Sequence, residues 1–312
     1  MLRCEIIELF RVKIYFQKNL KEKIKYISRK NLSIEKYDRC IQQAENSLVY
    51  AYSWFLDSVA DDWGVLILHD YKVVMPIPYL KLKRNLFAKR IYQPDFCQQL
   101  GIFSSAFLSQ EEALSFFETF LSLKPRSYSF NYYDTKHFLK ERFKLKERIN
   151  YELDLNNLYK ELASNYSTNI KRNLKKANQS ELQFTNTIAF DTFIKFKKEE
   201  THYKTKSKQL KIMQQLVKTA IKQGFGEIYG ILKDEKLLAV AFILNDKRRL
   251  ISLITATNDL GKKLGAIAFL NDNLIKEHSE TKIILDFEGS MISGIARFYK
   301  SFGAEVVNYL SY

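Results

Sequence analysis

Residues 226–310 constrain the fold more than any other stretch. Three β-rich runs follow one another at 226–232, 237–245 and 249–255, with Lys233, Asp234, Glu235 and Lys236 as the first tight turn. Such spacing predicts an antiparallel meander. The pattern then switches. A turn with Gly261 and Gly265 opens a helix, and Ile283, Ile284, Leu285 and Phe287 make a buried strand. A second glycine turn follows at Gly289, and a short helix at 293–303 ends in Gly303, which suits the residue after a helix end. Residues 305–310 make a last strand. A meander followed by helix, strand, helix and strand closes as a mixed sheet with helices packed on it, so the class is α+β.

The chain ahead of this stretch has a related order. Helical pieces fill 33–60, with Ser33 as N-cap and Lys36 where a capping box would place Glu. Strands at 63–68 and 72–82 flank the turn His69, Asp70, Tyr71, and Pro76 and Pro78 demand an edge or bulged strand. An amide-rich loop covers 93–101. A helix at 110–123 carries Ala113, Phe116, Phe117 and Phe120 on one face, and strands are expected at 127–133 and 144–155. From 156 the pattern restarts with a helix at 158–178, basic at Lys171, Arg172, Lys175 and Lys176, then a strand at 181–187 and helices at 190–203 and 209–223. The expected division is a basic extension over 1–30, one α+β domain over 31–150 and a second over 151–312.

Charge and cysteines narrow the partners. The formal charge is +15, and residues 1–30 hold nine Lys/Arg against three Glu. Such a balance favours phosphate-bearing partners, including nucleic acid, or reflects a Lys-rich solvated surface. The three cysteines are odd in number and far apart, which fits a reducing compartment, and they share no metal-ligand spacing with the four histidines, so no metal is expected. The longest apolar run, 237–244, is too short to cross a bilayer, and the N-terminus does not read as a secretory signal, so a cytoplasmic location is expected.

Several residues carry chemistry. Gly261 and Gly265 let the backbone approach a ligand, a helix start supplies N–H groups, and Lys262 and Lys263 add charge. That suits a pyrophosphate; an ordinary strand–helix connection is the alternative. Neither a P-loop nor a GxGxxG pattern is present. Asp286 and Glu288 share one face at the end of a buried strand. They can serve as a general base or orient an amine; alternatively Asp286 caps backbone N–H groups and Glu288 pairs with Arg or Lys. Ile295, Phe298, Tyr299 and Phe302 fall at helical spacing as a core stripe, with a phenol tip able to donate a proton, while Arg297 and Lys300 leave the other side.

The run from Asp286 to Gly303, DFEGSMISGIARFYKSFG, resembles the end of FemAB-like proteins, tandem acyltransferases of the GNAT (acyl-CoA N-acyltransferase) fold. The run NIKRNLKKA from Asn169 to Ala177 is similar to the basic helix ahead of the first strand of their second domain. The run IYQPDFCQQLGIF from Ile91 to Phe103 is similar to a first-domain segment in bacterial relatives. The resemblance covers about residues 26–312 and implies two tandem GNAT-like domains. It implies N-acyl transfer to a small-molecule or peptide amine, with acyl-CoA inserted where the strand before Asn258 and the strand at 283–288 splay apart. Thr255, Thr257, Gly261, Lys262, Lys263, Gly265 and Ala266 would hold the donor. Glu288 would be the base, with Asp286 beside it, and Tyr299 the acid. Lys171, Arg172, Arg297 and Ser290 would orient the acceptor. Against the GNAT loop motif Q/R-x-x-G-x-G/A the match is degenerate, with Lys262 at the first position and Ile267 at the last. Peptidoglycan-bridge members use aminoacyl-tRNA and carry a lysine where this chain has Tyr299. Aminoacyl transfer from tRNA to a cell-wall precursor, which this departure speaks against, is the alternative, and a non-catalytic nucleic-acid-binding module is a third.

Overall fold

The computed structural model describes residues 23–82, 85–139, 145–200, 207–289 and 291–312. Two sheets organise them. The first has the order β1 (Lys25–Ser28), β2 (Asp62–Leu68), β3 (Val73–Leu82) and β4 (Asn85–Ile91), with the short β5 (Phe103–Ser104) also on β3. Its neighbours are antiparallel. The turn between β2 and β3 has positive φ at His69, Asp70 and Tyr71. The prolines of β3 are accommodated by a gap in pairing. On the side away from β2, Val73 and Val74 pair with β5 while Tyr79 onward pairs with β4, so among the described residues no strand pairs with 75–78 on that side. The end of the expected basic extension, Lys25–Ser28, is thus an edge strand of this sheet.

The second sheet has seven strands: β6 (Lys146–Asp154), β7 (Gln183–Thr185), β8 (Gly226–Lys233), β9 (Lys236–Asn245), β10 (Arg249–Thr257), β11 (Ile284–Asp286) and β12 (Glu305–Ser311). Their spatial order is β12-β6-β11-β10-β9-β8-β7. The meander β8–β10 is as expected; Asp234 and Glu235 both take positive φ in its first turn. β11 lies parallel to β10, and every other pairing is antiparallel. A parallel pair needs a crossover. Helices α8 (Asp259–Leu264) and α9 (Ala266–His278) supply it.

The remaining helices are α1 (Ile34–Gln43), α2 (Ser53–Val59), α3 (Gln110–Ser122), α4 (Tyr159–Ser164), α5 (Thr168–Gln179), α6 (Phe190–Glu199), α7 (Ser207–Lys222) and α10 (Ser293–Lys300). Three expectations are corrected. Residues 127–133 form no strand; Ser129 and Phe130 make isolated bridges, and a short turn of helix begins at Tyr132, where Asn131 caps Asp134 N. The helix expected at 158–178 is two, because the Ser167 side chain accepts from Ile170 N and starts α5 anew. Ile295 is exposed rather than part of the stripe, whereas Phe302 is fully buried. Ser33 does precede α1, but its side chain makes no cap.

β9 alternates between two cores. Val240, Phe242 and Leu244 face one that continues into the first half through Phe193, Leu216, Phe55 and Val65. Ala239, Ala241 and Ile243 face another, with Leu270, Leu274, Phe287 and Phe302. A strand buried on both faces reads as a continuous apolar run, as the sequence here does. The two halves are also joined at the surface of the core: the Phe225 ring lies 5.4 Å from both Tyr52 and Trp54. Arg248 donates to the carbonyls of Gln42 and Ala44. Among the described residues no helix is long and apolar enough to cross a membrane.

Candidate active site

The site begins where β10 and β11 part. They pair only from Arg249 with Ile284 to Ile251 with Asp286. β10 then bulges between Ser252 and Ile254 and runs on to Thr257. The chain after β11 instead follows β6, with Phe287 N donating to Tyr151 O at 3.0 Å. Beyond Ile251, the β11 side of β10 has no strand partner among the described residues. The result is a V-shaped opening in the sheet with Glu288 at its corner.

Local chemistry sets that corner. Asp286 Oδ1 accepts from Glu288 N at 2.8 Å, an Asx turn that steers the chain out of the strand. Glu288 and Gly289 follow with φ of 57° and 46°. A non-glycine residue in that region is uncommon and clusters at functional sites. Gly289 is forced: a Cβ there would lie 2.1 Å from Ile149 O. The other Asp286 oxygen pairs with Arg249 at 2.8 Å, and Arg249 also pairs with Glu152 at 2.7 Å. Asp286 therefore has the backbone-capping part considered from sequence, with an ion pair added. Asp286 and Glu152 hold the Arg249 guanidinium firmly charged against the opposing effect of burial.

Glu288 does not pair with Arg or Lys among the described residues. Its Oε1 accepts from the Tyr50 hydroxyl of the first half, and its carbonyl accepts from Gln98 Nε2 at 2.7 Å. Gln99 Nε2 in turn donates to Gln98 Oε1 at 2.6 Å, and Tyr132 N donates to Gln99 Oε1 at 3.0 Å. Burial pushes the Glu288 carboxyl well above the usual carboxylate range; the Tyr50 hydroxyl works against that, and the Asp286 charge adds to it. Tyr299, on α10, stacks on Phe287 with centroids 4.9 Å apart. Burial, then the charges of Glu288 and Asp286, push its phenol up to about 12. So Asp286, Glu288 and Tyr299 are brought together. Tyr50, Gln98, Glu152 and Arg249 join them without having been singled out from sequence, although the amide-rich loop had been noted.

The expected donor residues form the far arm of the opening. Thr255 O accepts from Lys197 Nζ at 2.8 Å, and burial lowers the pKa of that lysine. Thr257 Oγ1 donates to Leu238 O at 3.1 Å. The glycine segment is a short helix, α8, capped by Asn258, whose Oδ1 accepts from Gly261 N at 2.7 Å. A Cβ on Gly261 would meet Leu238 O at 2.5 Å, so this glycine serves the packing of α8 on β9. Gly265 is left-handed, at φ 76°, and joins α8 to α9. The start of α9 at Ala266 has no side-chain cap. Lys262 pairs with Asp259, and Lys262 and Lys263 are both exposed.

Helix α5 ties the two arms. Its Asn173 packs 3.2 Å from a Cβ built on Gly265. At its start, Ser167 N donates to Ser301 O just after α10, at 2.9 Å. Lys171 and Arg172 are exposed on α5, with Lys171 Nζ on Ser164 O and Arg172 on Asn169. Arg297 is exposed on α10. Ser290, expected to orient the acceptor, lies outside the described residues.

Residues 164–299 match the family model described as an acetyltransferase (GNAT) domain. No curated protein matches the chain. Among solved structures, FemX is similar at TM-score 0.65 and 10% identity, covering 92% of this chain and 97% of that one. A conserved protein of unknown function from Bacteroides thetaiotaomicron VPI-5482 gives TM-score 0.60 and 12% identity, covering 93% and 99%. A tandem GNAT protein from the clavulanic acid biosynthesis pathway gives TM-score 0.50 and 10% identity, covering 93% and 97%.

Proposed function

We propose, for a chain that has the tandem GNAT fold of FemAB-like proteins, that it is an acyltransferase moving an acyl group from acyl-CoA to a small-molecule or peptide amine. The observation that carries this reading is Glu288. A carboxyl raised by burial, held by Tyr50 and the Asp286 turn at the corner of a split sheet, is suited to take a proton from an amine. The amine nitrogen attacks the thioester carbonyl as its proton passes to Glu288. The C–S bond then breaks, and Tyr299, protonated at neutral pH, gives its proton to the leaving thiolate. Backbone N–H groups at Thr255–Thr257 would hold the acyl oxygen. Asp286 is a positioning residue in this scheme, since Arg249 and Glu288 N occupy it. The uncapped start of α9, with Lys262, Lys263 and Gly265 beside it, would take the pyrophosphate. Lys171, Arg172, Arg297 and Ser290 would orient an acidic acceptor.

A second reading keeps the fold and replaces the donor with aminoacyl-tRNA. The observation in its favour is that the basic helix α5 abuts the Gly265 hinge. Thermal shift with acetyl-CoA, longer acyl-CoAs and charged tRNA separates the donors. We expect an acyl-CoA to raise Tm, and Glu288→Gln to lower kcat by about 10²-fold or more without abolishing that rise. A rise with charged tRNA alone favours the second reading; no rise with any acyl-CoA and full activity in Glu288→Gln overturn the first.

A further inference from the structure

The donor arm of the opening carries a cation to which the scheme above gives no part. From Ile254 to Thr257, β10 pairs with β9 without a break, and Asn258 N continues the run onto Leu238 O at 3.0 Å. Along an antiparallel pair the residues alternate, one turning its N–H and C=O to the partner strand and the next turning both away. Asn258 points to β9, so Ala256 and Ile254 do too. Thr255 and Thr257 therefore turn their N–H and C=O into the opening. Lys197 Nζ meets Thr255 O there at 2.8 Å. In an extended strand the nitrogen and oxygen of one residue lie only about 3 Å apart. An oxygen that accepts from Thr255 N–H thus sits beside the Lys197 ammonium.

Lys197 stands on α6, whose Phe193 and Phe196 share a core with Ile254, Ala256 and Tyr50. Its side chain comes to the edge of β10 from the face turned toward the first half, the face from which Tyr50 reaches Glu288. Lys197 is partly buried and keeps some surface open to solvent. Burial lowers its pKa, the direction expected of an ammonium held out of bulk water, where a charge acts more strongly on its neighbours. We propose that Lys197 is a further catalytic residue, whose ammonium lies against the acyl oxygen held by Thr255 N–H and stabilises the negative charge that develops there. This rests on the acyl-transfer reading above. As the amine nitrogen bonds to the carbonyl carbon, the C=O π pair moves onto the oxygen beside Lys197. When the C–S bond breaks, that pair returns and re-forms the carbonyl. A cation so placed favours the charged intermediate over the neutral thioester.

Two unreactive coenzyme A thioethers test this without an acceptor. S-carboxymethyl-CoA brings a negatively charged oxygen to the acyl position, and S-acetonyl-CoA a neutral carbonyl. Both are titrated calorimetrically into the full chain, and the ratio of their affinities is the readout. Lys197→Gln still donates to Thr255 O but has no charge, so it should shift the ratio about tenfold against the carboxymethyl compound, the worth of one charge-assisted contact. Lys197→Met, which keeps the apolar stem, should do the same, with circular dichroism confirming the fold of each variant. Lys197→Arg keeps the charge and should keep the ratio. With acetyl-CoA as donor, Lys197→Gln should lower kcat by about 10²-fold and leave the affinity for acetyl-CoA within about twofold. Both analogues bound by the parent with a ratio unmoved in Lys197→Gln and Lys197→Met overturns this proposal alone. A ratio lost equally in Lys197→Arg shows that shape rather than charge sets it, and overturns it too. Neither analogue bound by the parent overturns the acyl-CoA reading itself, and this proposal with it.

Discussion

Glu288 depends on a residue from the other half of the chain. The Tyr50 hydroxyl donates to its carboxyl and so stabilises the charged form, opposing the burial that raises it. Tyr50→Phe removes that donor. The carboxyl then holds its proton to higher pH, and the acid limb of the kcat/KM profile should move upward, with Tm lowered by the loss of a buried hydrogen bond. An unmoved acid limb would show that Glu288 is not the base that profile reports. Tyr299, raised to about 12, stays protonated across the accessible range, so its titration should add no alkaline limb near neutrality. Of this site, the sequence made the carboxylates and the tyrosine legible, because strand alternation and helical spacing place them at one end of the sheet. Tyr50, Gln98 and Arg249 were not legible. Each reaches the site from a different element, and no local periodicity reports which side chains two separated segments bring together.

At the level of elements, the turn after β11 is the most constrained part of the molecule. Gly289 has positive φ and passes against the β6 backbone, with Ile149 O where a side chain would begin. Gly289→Ala should therefore cost about 3 kcal/mol or more in a urea melt and lower kcat, because Glu288 moves with it. A melt shifted by less than about 1 kcal/mol would show that the turn yields cheaply. The strands themselves were legible where their pairing is local, as in the meander and the hairpin of β2 and β3. Residues 127–133 misled because Tyr128, Phe130 and the aromatic residues after them favour strands. In the fold the first two are packed inside a core and Asn131 caps a turn instead. The split helix at 158–179 had its signal in Ser167, a capping residue inside an otherwise helical run.

Across the whole molecule, the core that lies on one face of the second sheet continues into the first half. The halves should unfold together. Phe225, seated against Tyr52 and Trp54, tests this: Phe225→Ala should lower stability by about 3 kcal/mol and shift one shared transition, followed by tryptophan fluorescence and by far-UV circular dichroism. Two separated transitions in the parent chain would contradict it. β6 adds a constraint of order in time. It is the first strand of its sheet to leave the ribosome, yet both of its neighbours, β11 and β12, follow it by about 130 residues or more in the chain. β12 also reaches the first half, where Phe130 N donates to Leu310 O and Tyr312 N to Tyr128 O. Neither half can finish before β12 has been made. A nascent chain stalled short of Ile284 would hold β6 with both edges bare, a stage at which a chaperone has an exposed strand to guard.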